Sequence, residues 1–564
     1  MIIRLFLLSF YYLYSHAIII NENTLEKYAF LVSVIIPIYN TARYLPHTFD
    51  CLESQTIGFR QNIQVILIND GSTDNSHQFC QAFKQRYPEN ILYIQQSNLG
   101  VSAARNAGLQ YVRGKYITFF DSDDLWSPNA FAALYTFFEK HYLDVDVVSA
   151  RIKMFDAYER YQEIDYKFSE TRLINLRKDY KYIQLAVHST FIKASALENE
   201  DRFSIRLKYG EDTLFINTIL LRKCKLGVVR EAEYYHRKRR DKSSALNMEA
   251  ESPSYLFDSP IFYHQHLFNL SRQMYGITPR FIQYTIMYEI KWRLLRPVRV
   301  FLTDAENTRY CNLIIQSLQN IDDDIILEQT GTPLSVKLLT LSQKHGKDIR
   351  DELHISDSTV LYHSVPIIRL ENNKDLLRCI SWRINRNILN MECIDKNILD
   401  VAQYRYTMIS DGDPVASTIV HNTEETVQSM FGPVEISRKV LFRIQLKKYS
   451  STILHPILLL VLDSTVTRIS LGFDTSYLLR RLSRKTGHYK IIVDSEKIQI
   501  IYSSRFLSQM IGIILICTII YKLNRRGGNK ITRIMDHCFD LLFSYIRNCH
   551  IRNGIKQNHH PSFL

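Results

Sequence analysis

The stretch YITFFDSDDLW, residues 116–126, places three carboxylates, Asp121, Asp123 and Asp124, directly after an apolar run. Close like charges are costly unless a cation or hydrogen-bond donors hold them. If extended geometry persists, Asp121 and Asp123 point the same way. A hard divalent ion such as Mg²⁺ or Mn²⁺ prefers oxygen ligands and often completes its shell with substrate phosphates. On that reading Asp121 holds a ribose and Asp123 a metal that bridges a diphosphate and stabilises it as a leaving group. A solvated acidic turn is the plain alternative. Asp124 is left to cap the turn before Pro128.

Other stretches offer related chemistry. In Pro37-Ile38-Tyr39-Asn40, Pro37 ends a strand and Tyr39 can border a base, or Asn40 simply caps a helix. In Asn69-Asp70-Gly71-Ser72-Thr73-Asp74, the Asp70 carboxylate can accept from a uracil or ribose donor; a capping turn also accounts for it. In the run from Asn98 to Gly108, Gly100 lets a ligand approach a helix start that favours anions. Arg105 can brace an aspartate or a phosphate. In Tyr209-Gly210-Glu211-Asp212, a carboxylate could deprotonate an acceptor hydroxyl; an acidic pair suited to a helix start is the plain alternative. Finally, YYHRKRRDKSS, residues 234–244, sets five basic side chains beside His236, which could act as a metal ligand or phosphate donor. A solvated loop and a nucleic-acid patch are the alternatives there.

These motifs need a scaffold. Val32–Pro37, Val65–Ile68, Leu92–Ile94 and Tyr116–Phe120 read as short buried strands, and Val145–Val148 as one more. Helical spacing separates them: Leu45, Phe49 and Leu52, then Phe79, Ala82 and Phe83, then residues 100–112. Alternating strands and helices predict an α/β domain with a parallel sheet and helices on both faces. Ligands in such sheets sit beyond the carboxyl ends of strands, where Asp70 and Asp121 lie. We expect an apolar N-terminal segment over 1–30, the α/β domain over 31–248, a helical linker domain over 249–350, a β-rich domain over 351–503, and an apolar and basic tail over 504–564. The β-rich domain suggests a sandwich or jelly roll.

The 564-residue chain carries a net charge of +13, which favours anionic partners. Nine scattered cysteines without CxxC spacing point away from zinc and disulfide frameworks and toward a reducing compartment. The first twenty residues read as an uncleaved anchor or an appended extension rather than a cleaved signal. The run 510–521 is short for a membrane span, and the basic residues after it suit a cytoplasmic membrane face.

Together and in this order, VSVIIPIYN, VILINDGSTDNS, NLGVSAARNAGL, YITFFDSDD and YGED, across residues 32–212, resemble the family 2 inverting glycosyltransferases of GT-A fold. The later regions resemble bacterial teichoic-acid and capsular polysaccharide glycosyltransferases. The resemblance implies a Rossmann-like nucleotide-sugar-binding domain, with Pro37, Tyr39, Asn40 and Asp70 lining the nucleobase pocket. Asn98, Gly100 and Arg105 would support the donor. Asp121 and Asp123 would form the DxD pair with a divalent cation (Mn or Mg), and Asp212 would be the general base beside Glu211. His236 and Arg237 would meet the diphosphate, although relatives often have an aromatic residue at the position of His236.

The expected reaction is metal-dependent, inverting transfer of a hexosyl or N-acetylhexosaminyl group from a UDP-sugar. The acceptor would be a polysaccharide or polyol-phosphate polymer at the inner face of the cell membrane. A homo-oligomer stays open, and nucleic acid is not expected as a partner. Two rival readings are a metal-dependent nucleotidyl or phosphoryl transferase, and a non-enzymatic polyanion binder. Clustered aspartates argue against the latter.

Overall fold

The computed structural model describes residues 28–240, 253–296 and 302–356, with further strands between 359 and 502. The expectations for residues 1–20 and 504–564 lie outside the described residues. Among the described residues, no helix is long and apolar enough to cross a membrane.

The first compact unit runs to Glu352 and includes Thr426–Ile436. Its strands are β1 (Phe30–Ile38), β2 (Ile63–Asp70), β3 (Ile91–Gln96), β4 (Gly114–Phe119), β5 (Leu125–Trp126), β6 (Val147–Asp156), β7 (Arg160–Tyr161), β8 (Arg172–Asn175), β9 (Thr190–Lys193) and β10 (Lys225–Lys238). They form a sheet in the order β3-β2-β1-β4-β9-β6-β10-β5, with β7 on β6 and β8 on β10. The first four are mutually parallel. The sheet is mixed, not parallel throughout, because β9 enters antiparallel to both β4 and β6, and β5 antiparallel to β10. Pro37 does not end β1, which continues to Ile38 in register with β2.

Between the parallel strands run α1 (Leu45–Glu53), α2 (Ser76–Arg86) and α3 (Val101–Leu109); α4 (Ala130–Lys140) follows β5 and α5 (Glu211–Lys223) precedes β10. Side chains alternate faces along a strand. Val32, Val34 and Ile36 of β1 join a buried cluster with Leu45, Phe49, Phe83 and Phe131 from α1, α2 and α4. Ile35 faces the other way, so close to Gly108 of α3 that a Cβ there would meet it at 2.5 Å. Helices therefore cover both faces, as the alternation predicts.

The later helices are α6 (Gln265–Tyr275), α7 (Arg280–Leu294), α8 (Asp304–Leu318) and α9 (Leu334–His345), and α6 is preceded by a wide i→i+5 turn at Ser259–His264. They belong to the same compact unit as the sheet, not to a separate domain. The contact is intimate: the Tyr263 ring packs so tightly on Gly210 that a Cβ there would meet it at 2.9 Å.

The second unit is β-rich. Leu353–Ser356, Thr359–Tyr362 and Val365–Arg369 form an antiparallel sheet. In a larger sheet, Leu377–Asn385 pairs antiparallel with Ile388–Asp395 and parallel with Thr465–Phe473.

Candidate active site

The three carboxylates at the end of β4 do not follow extended geometry. Asp124 N–H donates to the Asp121 carbonyl at 3.1 Å, which closes a turn and sends the side chains in three directions. Helix α1 and Gln55, just beyond its end, hold this turn and the residues after it. The Thr48 hydroxyl donates to the Ser122 carbonyl at 3.0 Å, Cys51 Sγ accepts from Trp126 N–H, and Gln55 donates to the Ser127 carbonyl.

Asp121 Oδ1 accepts from Arg105 Nη2 at 3.1 Å. Asp123 Oδ2 accepts from Arg239 Nε at 2.8 Å and Nη2 at 2.6 Å. Asp124 caps nothing near Pro128. It is 1% exposed and accepts from Tyr234 Oη at 2.7 Å, the Arg237 backbone N–H at 2.7 Å and His236 Nδ1 at 3.1 Å. Burial and the neighbouring Asp124 charge push the Asp123 carboxyl up, against Arg239. Burial would also raise Asp124, but His236 outweighs it and holds that carboxyl below its usual range.

Arg105 is the hub. It is buried, and besides Asp121 its Nη1 reaches Asp212 Oδ1 at 2.5 Å and Glu211 Oε1 at 3.3 Å. Arg105 therefore braces three carboxylates instead of reaching a phosphate. Glu211 and Asp212 open α5, where the helix dipole favours negative charge. Gly210 turns the chain into that helix at φ 84°, a conformation that favours glycine. Burial, then the Asp212 charge, lift the Glu211 carboxyl to about 8 despite Arg105. Near neutrality Glu211 is largely protonated beside Asp212.

His188, which the sequence reading missed, lies between the two groups of carboxylates. Its Nδ1 is 3.6 Å from Asp121 Oδ2 and 3.9 Å from Asp212 Oδ2. Its ring lies 4.7 Å from that of Tyr234 and stacks on His236 at 5.5 Å. Burial lowers its pKa against the pull of Asp121.

Asp70 is buried at the end of β2. Oδ1 accepts from Gln96 Nε2 at 2.7 Å and Leu99 N–H at 2.9 Å, and Oδ2 accepts from Gly100 N–H at 2.8 Å. A carboxylate has roughly four lone-pair sites, so these three bonds do not exhaust its acceptors. Gly71 is needed because a Cβ would meet the Asn98 backbone nitrogen at 2.8 Å. Gly100 instead faces open space at φ 90°, consistent with a surface a ligand can approach. Asn98 is exposed beside it and Tyr39 is half exposed. Asn40 caps no helix; α1 starts five residues later at Leu45. Its backbone sits at φ 53°, and its Oδ1 accepts from Thr73 N–H at 2.8 Å, tying the β1 and β2 turns together.

Asp121 and Asp123 carry the oxygen donors that a hard cation prefers, and each is ion-paired here, with Arg105 and Arg239. His236 does not fit as a ligand. Its Nδ1 faces Asp124, and its Nε2 lies 2.9 Å from Lys238 Nζ, so both ring nitrogens are engaged. Among the described residues no three His, Cys, Asp or Glu side chains gather as a ready metal shell. Divalent ions at phosphoryl sites commonly use one or two carboxylates plus substrate oxygens, which is what this turn offers. Arg237 is also engaged: its Nε donates to the Asp123 carbonyl at 2.7 Å and its guanidinium lies over the Tyr44 ring.

Residues 33–199 match the sequence model of the family described as glycosyl transferase family 2. The chain is 38% identical over 318 residues to the minor teichoic acid biosynthesis protein GgaB of Bacillus subtilis (strain 168), covering 56% of this chain and 35% of that protein. It spans about a third of GgaB's length. It is 35% identical over 359 residues to GgaA of the same organism, also a minor teichoic acid biosynthesis protein, covering 60% of this chain and 79% of GgaA. Superposition on the crystal structure of S. aureus TarS covers 85% of this chain and 86% of that one at 14% identity and TM-score 0.48. The α/β unit has the Rossmann-like GT-A architecture, followed by helices and a β-rich region, and the chain belongs to glycosyl transferase family 2.

Proposed function

We propose that this protein transfers a sugar from a nucleoside-diphosphate sugar to a hydroxyl of a polyol-phosphate or related wall polymer, with inversion. One observation supports this above all. Arg105 joins Asp121, at the end of β4, to Asp212, at the start of α5, through a single guanidinium. A donor-side carboxylate and a candidate base thus face one space, as a single in-line displacement needs. The names of GgaB and GgaA support a teichoic-acid-like acceptor.

In this reading Asp70, Tyr39, Pro37 and Asn40 border the base, and Asn98 and Gly100 line the donor's path. Asp121 holds the ribose. Asp123 and Asp121 would hold a Mn²⁺ or Mg²⁺ ion, which when bound neutralises charge on the diphosphate. Asp212 accepts the acceptor's hydroxyl proton. The acceptor oxygen then bonds to the anomeric carbon as the bond to the diphosphate oxygen breaks, and the nucleoside diphosphate leaves. Arg105 keeps Asp212 aimed, and protonated Glu211 avoids a further negative charge beside it. A UDP-sugar as donor, a hexosyl or N-acetylhexosaminyl group and work at the inner membrane face belong to the same proposal. The membrane part rests on the sequence of residues 506–526, outside the described residues.

A panel of nucleotide sugars with a wall-polymer acceptor, with and without Mn²⁺ and EDTA, tests the reading. Metal-dependent release of nucleoside diphosphate, abolished by Asp212→Asn, is expected. Release of pyrophosphate instead would favour nucleotidyl transfer. No turnover of any donor together with no metal-dependent nucleotide binding would defeat the proposal.

A further inference from the structure

Each carboxylate of the Asp121–Asp124 turn has its own partner, and the partners differ in how firmly they are held. Arg105 is buried and tied to three carboxylates. Asp124 is enclosed by Tyr234, His236 and the Arg237 backbone. Arg239 is different. Its side chain is 21% exposed, and its hydrogen bonds among the described residues go to Asp123 alone. Both land on one oxygen, Oδ2, instead of forming the stronger two-oxygen fork. Arg239 sits at the end of a strand, just beyond Lys238. The Tyr44 ring, 5.2 Å from its guanidinium, gives it a second surface to rest on.

Asp123 shares its turn with Asp121 and Asp124, and the cation that its carboxylate meets is Arg239. A hard divalent ion at Asp123 would therefore find a positive charge already on the carboxylate. We propose that Arg239 is the resident counter-cation of Asp123 in the donor-free protein, and that a divalent cation binds there by displacing it. This rests on the reading of Asp123 as a metal ligand given above. Arg239 is a positioning residue: it keeps the turn intact while no metal is present, and lowers the apparent metal affinity by the work of moving it. Once freed, its guanidinium stays at the same mouth, beside Arg237 on Tyr44, with chemistry that suits a diphosphate.

Mn²⁺ binding to the full chain without donor tests this, read from the electron paramagnetic resonance of free Mn²⁺. Arg239→Ala and Arg239→Gln are expected to tighten Mn²⁺ binding by roughly fivefold or more, while Arg239→Lys stays nearer to wild type. The gain should vanish when Asp123→Asn is added. Unchanged or weaker binding in both neutral variants, with unaltered thermal melting, overturns the proposal. So does a gain that survives Asp123→Asn. Because no donor is present, the result separates from the transfer assay. Tighter Mn²⁺ binding, with neither turnover of any donor nor metal-dependent nucleotide binding, leaves this inference standing and the function reading fallen. Metal-dependent turnover with Mn²⁺ binding blind to Arg239 does the reverse.

Discussion

Two buried ionic clusters lie in the first unit, and they are balanced differently. In the later helices, Glu289 sits between Arg293, whose Nε donates at 2.6 Å, and His264, whose Nε2 lies at 3.0 Å. Ser317 and the Tyr255 carbonyl take up further polar atoms of His264 and Arg293. Burial would raise the Glu289 carboxyl, but Arg293 and His264 hold it down at about 2. At the candidate site, one guanidinium, Arg105, serves three carboxylates, and Glu211 rises to about 8. The first cluster is neutralised and closed. The second is left short of positive charge and partly open, which is the state expected of a site that awaits a cation or a proton.

That contrast can be broken experimentally. The largest effect should come from Asp212→Asn, which removes the proposed base: transfer falls by roughly 10²- to 10⁴-fold while nucleotide binding stays within a few fold, read from initial rates and from UDP titration. Retained transfer would return Asp212 to a structural role. Next is Glu289→Gln, which strands the buried Arg293 charge and should cost about 3–5 kcal/mol in urea unfolding.

The pH dependence then separates the clusters by sign. Glu289 titrates near 2 in the fold and 4.5 in the unfolded chain, so its contribution is full above pH 4.5 and lost as pH falls toward 2. Glu211 titrates near 8 in the fold, so its contribution is full below pH 4.5 and lost as pH rises through 8. Unfolding midpoints across this range, each variant subtracted from wild type, should slope in opposite directions for Glu289→Gln and Glu211→Gln. The smallest effect is on Glu211→Gln at neutral pH. There the fold keeps Glu211 mostly protonated while the unfolded chain ionises it, so Gln should raise stability, by about 1–3 kcal/mol. A loss instead would mean that Glu211 is ionised in the fold and that the two clusters are alike.

The four parallel strands of residues 30–120 are legible because their signals are local. An apolar run followed by Asp and Gly announces a strand end whatever lies elsewhere. What each carboxylate does was not local. The three aspartates of DSDD look alike in sequence, and only the turn assigns them to Arg105, Arg239 and the Tyr234–His236 pair. Arg105 finds Glu211 and Asp212 more than a hundred residues away. His188 had no motif at all, since a lone histidine before β9 is indistinguishable from a packed one. The antiparallel entry of β9 was hidden for a similar reason. It follows an irregular stretch whose own sequence carries no direction.

The ring of Tyr263 pressed on Gly210 has a practical consequence. The turn that aims the proposed base is shaped from outside the sheet, by a helical segment that follows it by fifty residues. A catalytic piece cut at residue 248 would keep every motif yet leave Glu211 and Asp212 without the wall behind them. The smallest transplantable part of this protein should therefore run at least to Glu352, and an exchange of acceptor specificity between relatives should move the two parts together.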